Sequence, residues 1–178
     1  MKFRRFSLLF FLPIIAFLFS FGLPKNIDKK VRKEIGKTFH VENIALKFIE
    51  ISSEMNLKLN SKIGKENLFK ILKKDSLVGY GYVDKAPSKT DQFDYLILIN
   101  PQFIVAKTKV LIYREDYGGE IGSKRWLKQF IGLRSNDKVI YGKDIIPISG
   151  ATISTMSMTR AVNSFLKNLQ ILLDNKVL

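Results

Sequence analysis

Apolar and polar positions follow three regimes along this chain. Residues 7–23 form an apolar run of 17 residues, broken only by polar Ser7 and Ser20, Gly22 and by Pro13 inside it. Residues 26–37 read as a basic amphipathic helix, with Ile27, Val31 and Ile35 on one side. Residues 39–51 alternate loosely and can hold a strand. Residues 54–74 are helical in composition, with Gly64 as a break and Ile63, Leu68, Phe69, Ile71 and Leu72 as apolar content. Period two then takes over. Residues 77–84 alternate as a strand, and residues 85–92, with Pro87 and Ser88, read as a loop. Residues 93–99 form an apolar run closed by Asn100-Pro101, hence a strand and a turn, and 103–113 give the next strand of a hairpin. A short helix fits 120–131, and 138–148 is irregular. Met158, Val162, Phe165, Leu166, Leu169, Leu172 and Leu173 recur at spacings of three and four, which predicts a helix to about residue 174.

This pattern predicts an α+β fold: an antiparallel sheet of three to five strands, helices packed on it, and a long C-terminal helix. The chain divides into residues 1–24, a signal peptide or membrane anchor; 25–76, a helical N-terminal segment; and 77–178, the main domain. Lys2, Arg4 and Arg5 ahead of the apolar run give it the form of an export signal or retained anchor. Seventeen residues are at the lower limit for a spanning helix, and Ser20-Phe21-Gly22 is a poor cleavage site. Lys25, Lys29, Lys30, Arg32 and Lys33 outnumber the charges ahead of the run, against the charge rule. The short, signal-like start favours an inside N-terminus and a domain facing the extracytoplasmic, periplasmic side.

Composition narrows the chemistry. With no cysteine there is no disulfide, iron–sulfur cluster or thiolate metal site, and a lone His40 argues against a histidine metal centre or a triad. A Ser or Thr hydrolase also lacks Gly-x-Ser-x-Gly. The net charge of +14 suits an anionic membrane surface or an acidic partner. The lysines spread along helical faces with no interleaved aromatic platform, so nucleic acid is not expected.

One stretch concentrates candidate chemistry: Ser149-Gly150-Ala151-Thr152, then Ile153-Ser154-Thr155 and the C-terminal helix. Small residues let backbone approach a ligand, and Thr152 offers a hydroxyl. Ser154 or Thr155 would cap the helix, whose free N–H groups and positive dipole end suit a phosphate. Read alone, these residues fit either an anion site or an ordinary capped helix after a turn.

The Ser-Gly-Ala-Thr turn resembles the flavinylation motif of the FMN-binding domain family, which includes the flavin-carrying C subunit of the sodium-translocating NADH:quinone oxidoreductase and the G subunit of the Rnf complex. Tyr113-Arg114-Glu115-Asp116-Tyr117 after a strand, then Arg125-Trp126-Leu127 and Gln129-Phe130, are similar to exported members of that family. The resemblance covers about residues 77–169. It implies FMN held by a phosphoester to Thr152, with Ser149, Gly150, Ala151, Ser154 and Thr155 around the phosphate. Tyr113, Tyr117 or Trp126 would flank the flavin ring. It further implies an electron-transfer flavoprotein rather than a stand-alone enzyme, tethered to the membrane, with a flavin transferase and redox proteins or a membrane electron-transfer complex as partners. The family usually carries an acid three positions before the serine; here Ile146 stands there, with Asp144 two residues earlier. The alternative function is a cofactor-free exported module whose basic surface binds a membrane or an acidic partner.

Overall fold

The structure, a computed structural model, describes residues 22–178. The signal or anchor expected in residues 1–24 lies almost wholly outside the described residues. Among those described, no helix is long and apolar enough to cross a membrane.

The elements run α1 (Lys25–Phe39), β1 (Ala45–Phe48), α2 (Ser53–Lys58), β2 (Leu68–Lys73), β3 (Ser76–Pro87), β4 (Gln92–Ile99), β5 (Val105–Ile112), a 3-10 turn (Gly119–Gly122), α3 (Lys124–Leu127), a second 3-10 turn (Lys128–Phe130) and α4 (Thr152–Asp174). The strands form one five-stranded sheet in the order β1-β2-β3-β4-β5, every neighbour antiparallel. The expected α+β class, the three strands from 77 to 113 and the long C-terminal helix are all present.

The position of β4, an interior strand, explains why 93–99 reads as an unbroken apolar run. Phe93, Tyr95, Ile97 and Ile99 join the core under α4, while Leu96 and Leu98 join a second core under α1. A strand covered on both faces loses polar alternation while its side chains still alternate in direction. On the α1 side, Ile27, Val31 and Ile35 are buried. Each contributes about 2 kcal/mol by removal from water.

Residues 25–76 differ from the helical segment expected of them. After α1 they supply β1, the one-and-a-half-turn α2 and β2, and the β2–β3 hairpin pairs Lys73 with Ser76 across the division placed at 76/77. The helical composition of 54–74 is overridden past Gly64. Leu68 packs under α4 and Phe69 and Ile71 under α1, a two-sided burial that only a strand provides.

Candidate functional site

Where β5 ends, the chain continues extended, and three successive side chains take different partners. Tyr113 turns towards α4, its hydroxyl 3.1 Å from Ser154 Oγ, its ring 6.1 Å from Phe93. Arg114 donates to Gln92 O at 2.6 Å and to Asp94 Oδ2 at 2.5 Å. Glu115 accepts from Thr90 N at 2.7 Å, Thr90 Oγ1 at 2.8 Å and Asp91 N at 3.3 Å, fastening the β3–β4 loop. The Ser88 hydroxyl and the Thr90 backbone and hydroxyl hold the Glu115 carboxyl down to about 2, because each favours its charged form.

The next segment is fixed from both sides. Ser123 caps α3, accepting from Trp126 N. Trp126 is buried against Phe130 and donates Nε1–H to Ile146 O at 2.7 Å. Gln129 accepts from Ile146 N at 2.8 Å. The backbone at 146 therefore reaches the Ser-Gly-Ala-Thr turn held at both its N–H and its carbonyl. Gly150 turns the chain at φ +77°. Gly118 has φ +79°, and a Cβ there would stand 2.8 Å from Ala151 Cβ and 3.1 Å from the Tyr113 hydroxyl. The 113–118 segment thus lies directly on the turn that starts α4.

The helix begins at Thr152, earlier than the Ser154 or Thr155 cap expected from sequence. Its N-cap is Ala151, and no side chain caps it. Ser154 and Thr155 lie buried in its first turn. Ser154 reaches Tyr113, and Thr155 donates to Ala151 O at 2.9 Å with its hydroxyl oxygen 3.2 Å from the Tyr141 hydroxyl. Hydroxyls turned into the protein cannot close the first turn, so its N–H groups lack a side-chain partner.

A cleft of about 470 Å³ opens at this end of α4, lined by Tyr113, Tyr117, Gly150, Ala151, Thr152, Ile153 and Ser154, with Lys89 and Glu115. Thr152 and Tyr117 are exposed, Tyr117 at 83%. The structure brings together most of the residues singled out from sequence. Ser149 is exposed just outside the lining, and Thr155 is buried behind it. Trp126 does not line the cleft either; as a core residue it positions Ile146. Ile146 itself is 68% exposed. Sequence reading missed Lys89, the one cation of the lining among the described residues.

The volume is that of an ordinary small-ligand site. An uncapped N-terminus of a 23-residue helix attracts an anion, Lys89 adds a full positive charge, and two tyrosines in the lining supply aromatic surface. The donor set suits a phosphate-bearing aromatic ligand.

The antiparallel meander, capped on one face by a long C-terminal helix that starts at this cleft, decides the likeness. This is the fold of NqrC. The crystal structure of Shewanella oneidensis NqrC superposes with a TM-score of 0.56 at 13% sequence identity, covering 84% of this chain and 99% of that one. No protein-family model matches the chain, and no curated protein matches it in sequence. The NqrC fold agrees with the family resemblance carried by Ser149–Thr152 and by the segment from Tyr113.

Proposed function

We propose that this chain is an exported, membrane-tethered flavoprotein that carries FMN on Thr152 and relays electrons outside the cytoplasm. The observation that carries the reading is the exposed Thr152 hydroxyl, standing at the uncapped start of α4 inside a cleft that also presents Lys89, Tyr113 and Tyr117. The NqrC fold and the Ser-Gly-Ala-Thr sequence support it.

FMN when bound supplies the redox chemistry. The chain's residues do the rest. The first-turn N–H groups of α4 and Lys89 neutralise the phosphate. Tyr113, held by Ser154 and Phe93, and the exposed Tyr117 border the ring. Glu115 keeps the Lys89 loop in place. Attachment requires an activated donor, a flavin phosphoanhydride brought by a flavin transferase. A P–O bond forms to Thr152 Oγ, the anhydride P–O bond breaks, the hydroxyl proton is lost, and the far phosphoryl group leaves as a monoester. Redox proteins or a membrane electron-transfer complex are the partners expected of such a carrier.

One observation favours a second reading. The exposed position three before Ser149 holds Ile146 where the family has an acid, which suits a cofactor-free module.

Intact-mass measurement of chain produced with a flavin transferase tests both. The wild type should carry an FMN mass, and Thr152→Val should lose it while melting normally. Absence of flavin from both the wild type and Ile146→Asp would replace the carrier by the cofactor-free module. A C-terminal reporter active only in the cytoplasm would overturn the location.

A further inference from the structure

The β5 edge of the sheet, between α1 on one face and α3 on the other, carries a charge pattern that flavin binding does not use. Between α1, β5 and α3 runs a groove of about 700 Å³, lined by Lys37, Lys107, Lys109, Lys124 and Lys128 with a single carboxylate, Glu34. That acid is already engaged, 2.6 Å from Lys107 and 4.0 Å from Lys37. Burial pushes the Glu34 carboxyl up, but the hydrogen bond from Lys107 and the charges of Lys107, Lys37 and Lys109 outweigh it and hold it below its ordinary value. Glu34 therefore stays ionised and offsets one lysine of five. Lys109, Lys124 and Lys128 make no ion pair among the described residues. Ile131, in the same lining, is 52% exposed. On the other flank of α1 a second groove, about 970 Å³, presents Arg32, Lys33, Lys37 and Lys73 against Glu42.

We propose that this α1–β5–α3 face is a docking surface for the headgroups of an anionic phospholipid bilayer. The positive charge is spread along both flanks of a helix rather than gathered round a pocket. It is almost all lysine, a point charge on a flexible stem, which suits headgroup phosphates at no fixed spacing better than the paired geometry of a carboxylate partner. The exposed large side chain among the lysines is a single isoleucine, too little for the buried anchor of a protein interface. The docking groove and the Thr152 cleft share no lining residue, so binding at one does not occupy the other. The inference stands apart from the flavin reading, because it uses none of the residues that line the Thr152 cleft.

The chain has no cysteine, so one introduced residue carries a unique probe. The full-length Ile131→Cys protein, bearing an environment-sensitive fluorophore, is mixed with vesicles of phosphatidylcholine alone, or of equal parts phosphatidylcholine and phosphatidylglycerol, each containing a headgroup-level quencher. Quenching should be strong only with phosphatidylglycerol and should fade in high salt. A probe at Lys167→Cys, on the exposed side of α4, should stay bright in both. Each lysine near an anionic surface contributes a factor of about 5, so Lys124→Gln with Lys128→Gln should lower the docked-to-free ratio about 25-fold. Equal quenching in the two vesicle types, equal quenching at 131 and 167, or an unchanged ratio in the double variant would overturn the proposal. So would an Ile131 probe silent with anionic vesicles but shielded by polyglutamate, which would assign the face to an acidic protein. Failure of the chain to stay with neutral vesicles while it docks on anionic ones would sink the tether and leave this surface standing.

Discussion

Gly118→Ala tests whether the 113–118 segment and the Ser-Gly-Ala-Thr turn form one unit. The backbone there has φ +79°, where any Cβ costs about 1–2 kcal/mol. The added methyl would also stand 2.8 Å from Ala151 Cβ, 3.1 Å from the Tyr113 hydroxyl and 3.2 Å from Gly150 O. Two of those contacts are with parts that have little freedom to yield. Overpacking of this kind costs about 1–3 kcal/mol, giving about 2–5 in all. Two other glycines separate the terms. Gly132 has φ +89° with nothing within 4 Å of a Cβ, so Gly132→Ala should show the backbone cost alone. Gly119 has an ordinary φ and equally open space, so Gly119→Ala should change stability by less than about 0.5 kcal/mol. Trp126 is the sole tryptophan and is buried, so its fluorescence reports urea unfolding directly. At 2–4 °C per kcal/mol for a domain of this size, Gly118→Ala should melt roughly 2–12 °C below Gly132→Ala. The flavin attachment proposed for Thr152 should fall as well, since the turn bearing that residue must shift. A Gly118→Ala protein no less stable than Gly132→Ala would refute the packing of loop on turn, and with it the account of how the cleft is built.

Three further outcomes follow from the same geometry. Thr155→Val should cost about 1 kcal/mol in urea titrations through its lost hydrogen bonds, yet leave α4 starting at Thr152; a helix shortened by a turn in backbone chemical shifts would restore Thr155 as the cap. Trp126→Phe should cost about 1–3 kcal/mol, followed by circular dichroism, because it frees the Ile146 carbonyl and thins the packing on Phe130; a silent substitution would remove the clamp. Glu115 has its folded pKa depressed to about 2, so its stabilisation is fully present above the unfolded value near 4.3 and is lost as pH falls towards 2; amide exchange at Thr90 should accelerate over that window in the wild type and be fast and pH-independent, after correction for intrinsic exchange, in Glu115→Gln.

The sheet was readable from sequence only where one chemistry decided it. The β4 run ends at Asn100-Pro101, and Asn100 then organises the turn, its side chain accepting from Gln102 N and Ile104 N, both at 3.0 Å. Nothing so local marks β2. Its apolar residues face both layers, so no alternation survives, and its lysines mimic an amphipathic helix. β1, half-exposed and four residues long at the sheet edge, is weaker still. The helix start failed for a different reason. Ser154 and Thr155 are good capping residues by type, but Tyr113 and Tyr141 draw their hydroxyls inward, and those partners come from elsewhere in the chain.

The same distinction runs through the candidate site. Thr152, Gly150 and Ala151 are consecutive, so a motif could carry them. Tyr113 and Tyr117 follow a strand whose end was predictable. Lys89 belongs to a loop that sequence marks only by Pro87 and Ser88, and its place in the cleft lining depends on Glu115 reaching across to Thr90 and Asp91. A charge whose position rests on such a cross-loop bond leaves no trace in periodicity or spacing. What distinguishes Glu115 is three donors from a loop more than twenty residues away. In a cleft that would take a phosphate at Thr152, a carboxylate is an unfavourable neighbour unless its charge is already satisfied. Those donors satisfy it, and Lys89 then shares the cleft lining with Thr152 as a cation.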